Sequence, residues 1–359
     1  MKSLWVLFFC CCMIHCFSQN DLDGYLKNHS HSFSIETGFD QPTSAVVQQK
    51  LAGYRVILLG EGGSHFLQFY EPLAMVWLRL LNRQFGVTHF IGEGSHSFDI
   101  LANKYLQTGD QKYLPAKRSI RTDHVLDGLK RYNQTLPDNQ RLSFLGIDFE
   151  RANVYVQALK VLIPSTEPPA EIKNSIDLIK NANDTLNDCA YILSINHSLQ
   201  KSLKQHVEIF NQYLGTNFTD FEAIIMNPGS CLDVTRNRNN NMADNFLRFH
   251  KLINDKIYFG EFGMAHTILG NKASLASIIN TSEEFRDKVC SINTYCYNCT
   301  TAEEPVSNWQ LGKIEKDILQ SLMKYCTGNF TLFDFSDDDP VIRKFKNFGQ
   351  FLIIAKDQR

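Results

Sequence analysis

The chain alternates two hydrophobic rhythms. Short unbroken apolar runs that close on glycine stand between longer stretches in which apolar residues recur every three or four positions. The first pair is YRVILLG followed by PLAMVWLRLLNRQFG, a run of strand type and then helical spacing that opens on Pro72, tolerated in a first turn, and stops at Gly86. THFIGE with FDILANKYLQ repeats the rhythm, LSFLGIDF with ANVYVQALKVL repeats it again, and KIYFGEFG runs into a loop. This alternation predicts an α/β fold of three layers, a mainly parallel sheet with helices on both faces. From Pro164 to Gly229, entered through IPSTEPPAE, strand signals are sparse and the pattern predicts a helical insertion. TLFDF and FLIIA predict two closing strands at an antiparallel edge. There is no internal repeat of fixed period and no low-complexity segment.

The beginning of the chain departs from this rhythm. Met1 and Lys2 precede the apolar run LWVLFFCCCMI and the small-residue exit CFSQ, the layout of a cleaved secretory signal, with cleavage expected after Ser18. Residues 19–359 are then expected to form the α/β domain with its helical insertion, secreted or periplasmic. The apolar run is too short to span a bilayer, and no later segment has the roughly 18 to 20 uninterrupted apolar residues a membrane helix needs. Cys16 as a lipid-bearing cysteine is the alternative, but MIHC has His15 where a small residue is expected. The 359 residues are 43% hydrophobic and 21% charged, enough for a sizeable core. Without residues 1–18, which carry Lys2 and no acid, 35 basic residues face 38 acidic ones, so nucleic acid is not an expected partner.

Six cysteines lie beyond the signal: Cys189, Cys231, Cys290, Cys296, Cys299 and Cys326. An even set in an oxidising compartment permits up to three disulfides. Cys296 and Cys299 form a CxxC. TYCYNCTT offers no second CxxC and no paired histidine, which favours disulfides over a zinc site with Cys290.

Ionisable residues then concentrate where four predicted strands end. Glu61 and His65 follow VILLG, Glu93 and His96 follow THFIG, Asp148 and Glu150 follow LSFLGI, and Glu261 and His266 follow KIYFG. In an open parallel sheet ligands bind beyond the carboxyl ends of the strands, where loops converge. One Glu or His at such a place is most often a helix cap or a solvated loop residue. Four loops repeating the choice point to a site.

The string LLGEGGSH, then a helix, then FIGEG and NKYLQTGD, resembles the erythromycin esterase-like proteins, whose members read LGE, a nearby His, and a second Glu at the next strand end. FLGIDFE is similar to the family's GxD strand, RNRNNNMADNFLRF to its Arg-initiated helix, and FGEFGMAH to its closing strand and His. The blocks stand in family order over residues 54 to 270. The family usually has two residues between the motif Glu and His, whereas Glu61 and His65 are separated by three, and its helix commonly starts Arg-Asp, whereas Arg238 is followed by Asn239. The resemblance implies a hydrolase of an ester or related acyl bond of a small molecule. The same broad superfamily includes haem-carrying proteins, so a carrier of haem or of a divalent metal is the alternative.

These residue types can hydrolyse without a serine nucleophile. A histidine of ordinary pKa takes a proton from water near neutral pH, and a carboxylate beside it orients the ring. His65 with Glu61 or Glu93 is the candidate base, and His266 shares the electrophile's role or protonates the leaving alkoxide. Arg238, with Asp148, is assigned to the substrate or the oxyanion, since a guanidinium is permanently charged. No cofactor is required by this reading, though two histidines and two carboxylates could hold a divalent metal. GEGSHS is not GxSxG with Ser95 at its centre, neither GEGG nor GEGS is followed by GK[ST], and no HExxH occurs.

Overall fold

The computed structural model describes residues 21–62, 67–114, 120–227, 237–253, 256–300 and 316–358. The expected signal peptide, Cys16, Cys231 and His65 lie outside the described residues. The chain divides into two compact units: Met1–Phe85 with Phe259–Arg359, and Gly86–Tyr258. Within these, the eight strands of the described residues are β1 (Ser30–Phe33), β2 (Val56–Glu61), β3 (His89–Ser95), β4 (Ser143–Asp148), β5 (Tyr258–Gly263), β6 (Val289–Tyr297), β7 (Phe330–Asp334) and β8 (Phe351–Lys356).

In the first unit the strands run in the order β1, β7, β8, β6, β2, β5. β2 and β6 are parallel, as are β6 and β8, while β7 lies antiparallel to both β8 and β1. The antiparallel edge therefore falls where TLFDF and FLIIA predict it. Every residue of β2, β5 and β7 is buried, which requires cover on both faces and explains why these runs show no polar alternation. β1 and β6 were not foreseen. The β6 sequence VCSINTYCY carries Ser291, Asn293 and Thr294 in a strand that is buried almost throughout, and polar residues hide a strand unless their partners are known. Here the partners sit two elements away. Thr267 Oγ1 donates to Asn293 Oδ1 at 2.5 Å, Asn293 Nδ2 to Ser291 Oγ at 3.0 Å, and Ser291 Oγ to the Thr267 carbonyl at 2.5 Å. Gly60 makes room for this network, because a Cβ there would collide with the Asn293 and Thr267 side chains.

The second unit is built on the parallel pair β3 and β4. Helices His96–Thr108 and Arg238–Ile253 pack on β4, and Ala152–Leu162 packs on the first of them. β4 is the outermost strand, and its backbone is closed by side chains instead of a neighbour. Asn133 bonds both the N–H and the C=O of Leu142, Asn103 both those of Phe144, Asp99 accepts from the Gly146 N–H, and Asn245 donates to the Ile147 carbonyl. The insertion predicted from Pro164 to Gly229 is helical as far as it is described, with Ala170–Asn181, Cys189–Gln205, Val207–Leu214 and Phe218–Met226 closing one apolar cluster against Ala152–Leu162.

Of the cysteines that the sequence leaves open to pairing, Cys189 is disulfide-bonded, while Cys290, Cys296, Cys299 and Cys326 are free thiols in this structure. β6 and its exit hold three of the four in a strand register that serves the sheet.

Candidate functional site

The Gly86–Tyr258 unit brings together three of the predicted site residues. Arg238 is the first residue of the helix Arg238–Ile253, Glu93 lies in β3 and Asp148 ends β4. The guanidinium addresses Asp148 as a fork, Nε to Oδ1 at 3.1 Å and Nη2 to Oδ2 at 2.8 Å, and Nη2 also donates to Glu93 Oε2 at 2.8 Å. Burial works against the charge on Arg238, but Asp148 and then Glu93 outweigh it and hold its pKa above the usual arginine value. A permanently charged group so placed is rigid, because a bidentate fork fixes both position and plane.

The three members differ in access. Asp148 is fully buried, whereas the Arg238 and Glu93 side chains are 24% and 27% exposed. A ligand can therefore meet the guanidinium and Glu93, while Asp148 acts through Arg238 as a positioning residue. Asp148 has a second cationic partner that sequence reading left out. Arg151 Nη2 donates to Asp148 Oδ2 at 3.0 Å and to the Glu93 carbonyl at 3.3 Å. The i, i+3 spacing of Asp148 and Arg151 in DFER was the available signal. Both guanidiniums also lie against the Phe149 ring, at 5.8 Å for Arg238 and 5.4 Å for Arg151.

His96 and Glu150, noted at the same strand ends, sit in a different setting. His96 Nδ1 bonds Asp99 Oδ2 at 2.8 Å and Nε2 bonds Asp220 Oδ1 at 3.2 Å. Burial alone would lower its pKa, yet the two carboxylates push it up to about 10. With a carboxylate at each ring nitrogen and its pKa raised, His96 is poorly suited to accept a proton from water. Glu150 is also buried, and burial raises its pKa; it accepts from the Ser97 N–H at 3.3 Å and from Asn227 Nδ2 at 3.1 Å.

In the other unit, Glu61 is buried at the end of β2 and Glu261 within β5. The chain beyond Glu61 is anchored by Tyr70, whose hydroxyl donates to the Gly62 carbonyl. His266 stands in the short helix Met264–Thr267, half-buried, and the next residue, Thr267, ties that turn to Asn293 of β6. His65 lies outside the described residues. Among the described residues no group of three or more His, Cys, Asp or Glu is placed to hold a metal ion. No helix among them is long and apolar enough to cross a membrane.

No family model and no curated relative matches the chain. Solved structures do. A Bacillus cereus protein superposes with a TM-score of 0.63 at 13% identity, over 94% of this chain and 97% of that one. A succinoglycan biosynthesis protein gives 0.68 at 12%, with the same coverage. An erythromycin esterase, a histidine-to-asparagine mutant of EreC in its open conformation, gives 0.61 at 13%, over 90% of this chain and 95% of that one. The fold is erythromycin esterase-like, as the ordered motifs predict.

Proposed function

We propose that the chain hydrolyses an ester or related acyl bond of a small molecule, with water as the nucleophile. The observation that carries this reading is the Arg238 fork: a guanidinium fixed by buried Asp148 and by Glu93 that remains partly open to solvent. It is supported by the fold shared with an erythromycin esterase. His65 takes a proton from water, with Glu61 orienting the ring. The hydroxide oxygen adds to the acyl carbon, and the negative charge that develops on the carbonyl oxygen is met by Arg238, a donor already oriented before the reaction. The C–O bond then breaks, and the departing alkoxide takes its proton from His266 or from the protonated His65, giving an acid and an alcohol. Export with removal of residues 1–18 belongs to the same reading.

The test is a screen of chromogenic esters and macrolactones with the purified mature chain, followed by variants on whichever substrate turns over. His65→Ala is expected to lower kcat by about 10² to 10⁴, the range for a general base, with little change in KM. Dialysis against a chelator is expected to change nothing. Loss on chelation with recovery on adding a divalent ion would replace this mechanism by a metal-dependent one. Full activity in both His65→Ala and Arg238→Ala would overturn the reading.

A further inference from the structure

The hydrolytic reading leaves one cluster of nucleophilic side chains unused, at the exit of β6. Cys296 is buried and lies opposite Ala355 of β8 in the strand register. Asn298, with φ of 56°, then turns the chain back through the left-handed region that asparagine tolerates. The turn brings the buried Cys299 thiol to 3.6 Å from the carbonyl of the same Ala355. Two backbone bonds hold it there, Asp357 N to the Tyr297 carbonyl at 2.9 Å and Thr300 N to the Gln358 carbonyl at 2.8 Å. The thiols of Cys296 and Cys299 touch through a hydrogen bond, and the Tyr70 hydroxyl touches Cys296. Tyr70 is fully buried, and its hydroxyl donates to the Gly62 carbonyl, one residue after Glu61.

We propose that Cys296 and Cys299 are a reversible dithiol–disulfide couple, and that Tyr70 passes its state to Gly62. The hydrogen bond from Cys296 stabilises the Cys299 thiolate and draws its pKa down, while the same bond and burial push the Cys296 thiol up. Cys299 is therefore the attacking sulfur. With a small disulfide such as oxidised glutathione, the Cys299 thiolate attacks one sulfur and expels a glutathione thiolate. Cys296, losing its proton to that thiolate, then attacks the Cys299 sulfur of the mixed disulfide and expels the second glutathione. Two electrons pass to glutathione, two thiols of the protein become one S–S bond, and the two protons end on the two glutathione thiols. Closing that bond moves the Cys296 sulfur, and with it the contact that the Tyr70 hydroxyl makes beside Gly62.

This inference rests on no assumption about hydrolysis, and its experiment needs no substrate. The full mature chain is equilibrated in glutathione buffers of rising oxidised fraction, quenched with acid and mapped by mass. The expected result is loss of two hydrogen masses in a peptide pair joining Cys296 to Cys299, reversed by excess dithiothreitol, with Cys290 unchanged. Cys296→Ser is expected to stop at a glutathione adduct on Cys299, and Cys299→Ala to give neither bond nor adduct at Cys296. Tyr70→Phe is expected to shift the midpoint glutathione ratio by about fivefold, the effect of one hydrogen bond near 1 kcal/mol. Amide exchange of the peptide containing Glu61 and Gly62 should differ between the two redox states in the wild type and not in Tyr70→Phe. Absence of the Cys296–Cys299 bond at every ratio in the native chain, or its appearance only in urea, overturns the couple. A bond that forms with no change in exchange at Gly62 overturns the relay.

Discussion

Two charged clusters grow from the ends of the same strand pair in the Gly86–Tyr258 unit, and their contrast shows what separates a structural ion network from one that can meet a ligand. The His96 cluster has a cation between two carboxylates, and so does the Arg238 cluster. The His96 and Asp99 side chains are 6% and 4% exposed, and both ring nitrogens are engaged. Arg238 and Glu93 are each about a quarter exposed. What distinguishes them is whether the cation keeps a face to solvent after its internal partners are satisfied. Burial makes the first cluster a matter of stability, and partial exposure leaves the second available for chemistry.

The strongest way to break this comparison is Asp99→Ala. It strands the His96 charge in the interior and removes the acceptor of the Gly146 N–H, so about 3 to 5 kcal/mol of stability is expected to be lost in urea unfolding. The fraction that remains folded should keep its turnover, because this cluster touches no substrate. Arg238→Ala should show the reverse emphasis. A fall in kcat of about 10² to 10³ is expected, the usual effect of removing one oriented donor. Its stability cost should be smaller than that of Asp99→Ala, because Arg151 still pairs with Asp148. Equal stability losses in the two variants, with no activity loss in the second, would erase the distinction.

The titration of His96 sharpens it further. Its folded pKa of about 10 lies above the ordinary histidine value, so the folded state binds the proton more tightly than the unfolded chain. The resulting stability is fully present below about pH 6.5 and is lost as pH rises toward 10. A decline on the order of 2 kcal/mol over that window is expected in urea midpoints, less than the full shift implies because burial also raises the pKa of Asp99, which competes for the proton. His96→Gln should flatten the slope. The smallest effect belongs to Glu93→Gln, which keeps a hydrogen bond to Arg238 but makes it neutral. A loss of about 1 kcal/mol in transition-state stabilisation, roughly fivefold in kcat/KM, is expected with no measurable change in melting temperature.

The sheet was legible wherever an apolar run closed on glycine and an acid. VILLGE, HFIGEGS, SFLGID and YFGEFG are β2, β3, β4 and β5, and the helices that follow the first three carry the spacing that predicted them. The two missed strands show where this signal stops. β6 is read correctly only when Thr267 is known to donate to Asn293, and that pairing is made by folding. The site was legible as a set of strand-end residues but not as a set of partners. Arg238 and Asp148 are 90 residues apart and His96 and Asp220 are 124 apart, and local spacing carries no trace of either contact. Family order put Arg238 among the candidates. Only burial could show that His96, equally well placed in sequence, is a fixed cation.

The pairing of β3 with β4 holds one further consequence. Gly92 stands opposite Gly146 and Ser95 opposite Asp148, so three steps along β3 match two along β4. The extra residue breaks the inside-outside alternation once, and everything after it is turned to the other side: Ser95, which caps the next helix through the Phe98 N–H, and His96, which that helix buries. The segment is thus a gauge of length more than of composition. Shortening it by a single residue would rotate the helix start by half a turn and point His96 at solvent. Relatives of this chain should accordingly keep the number of residues in this segment.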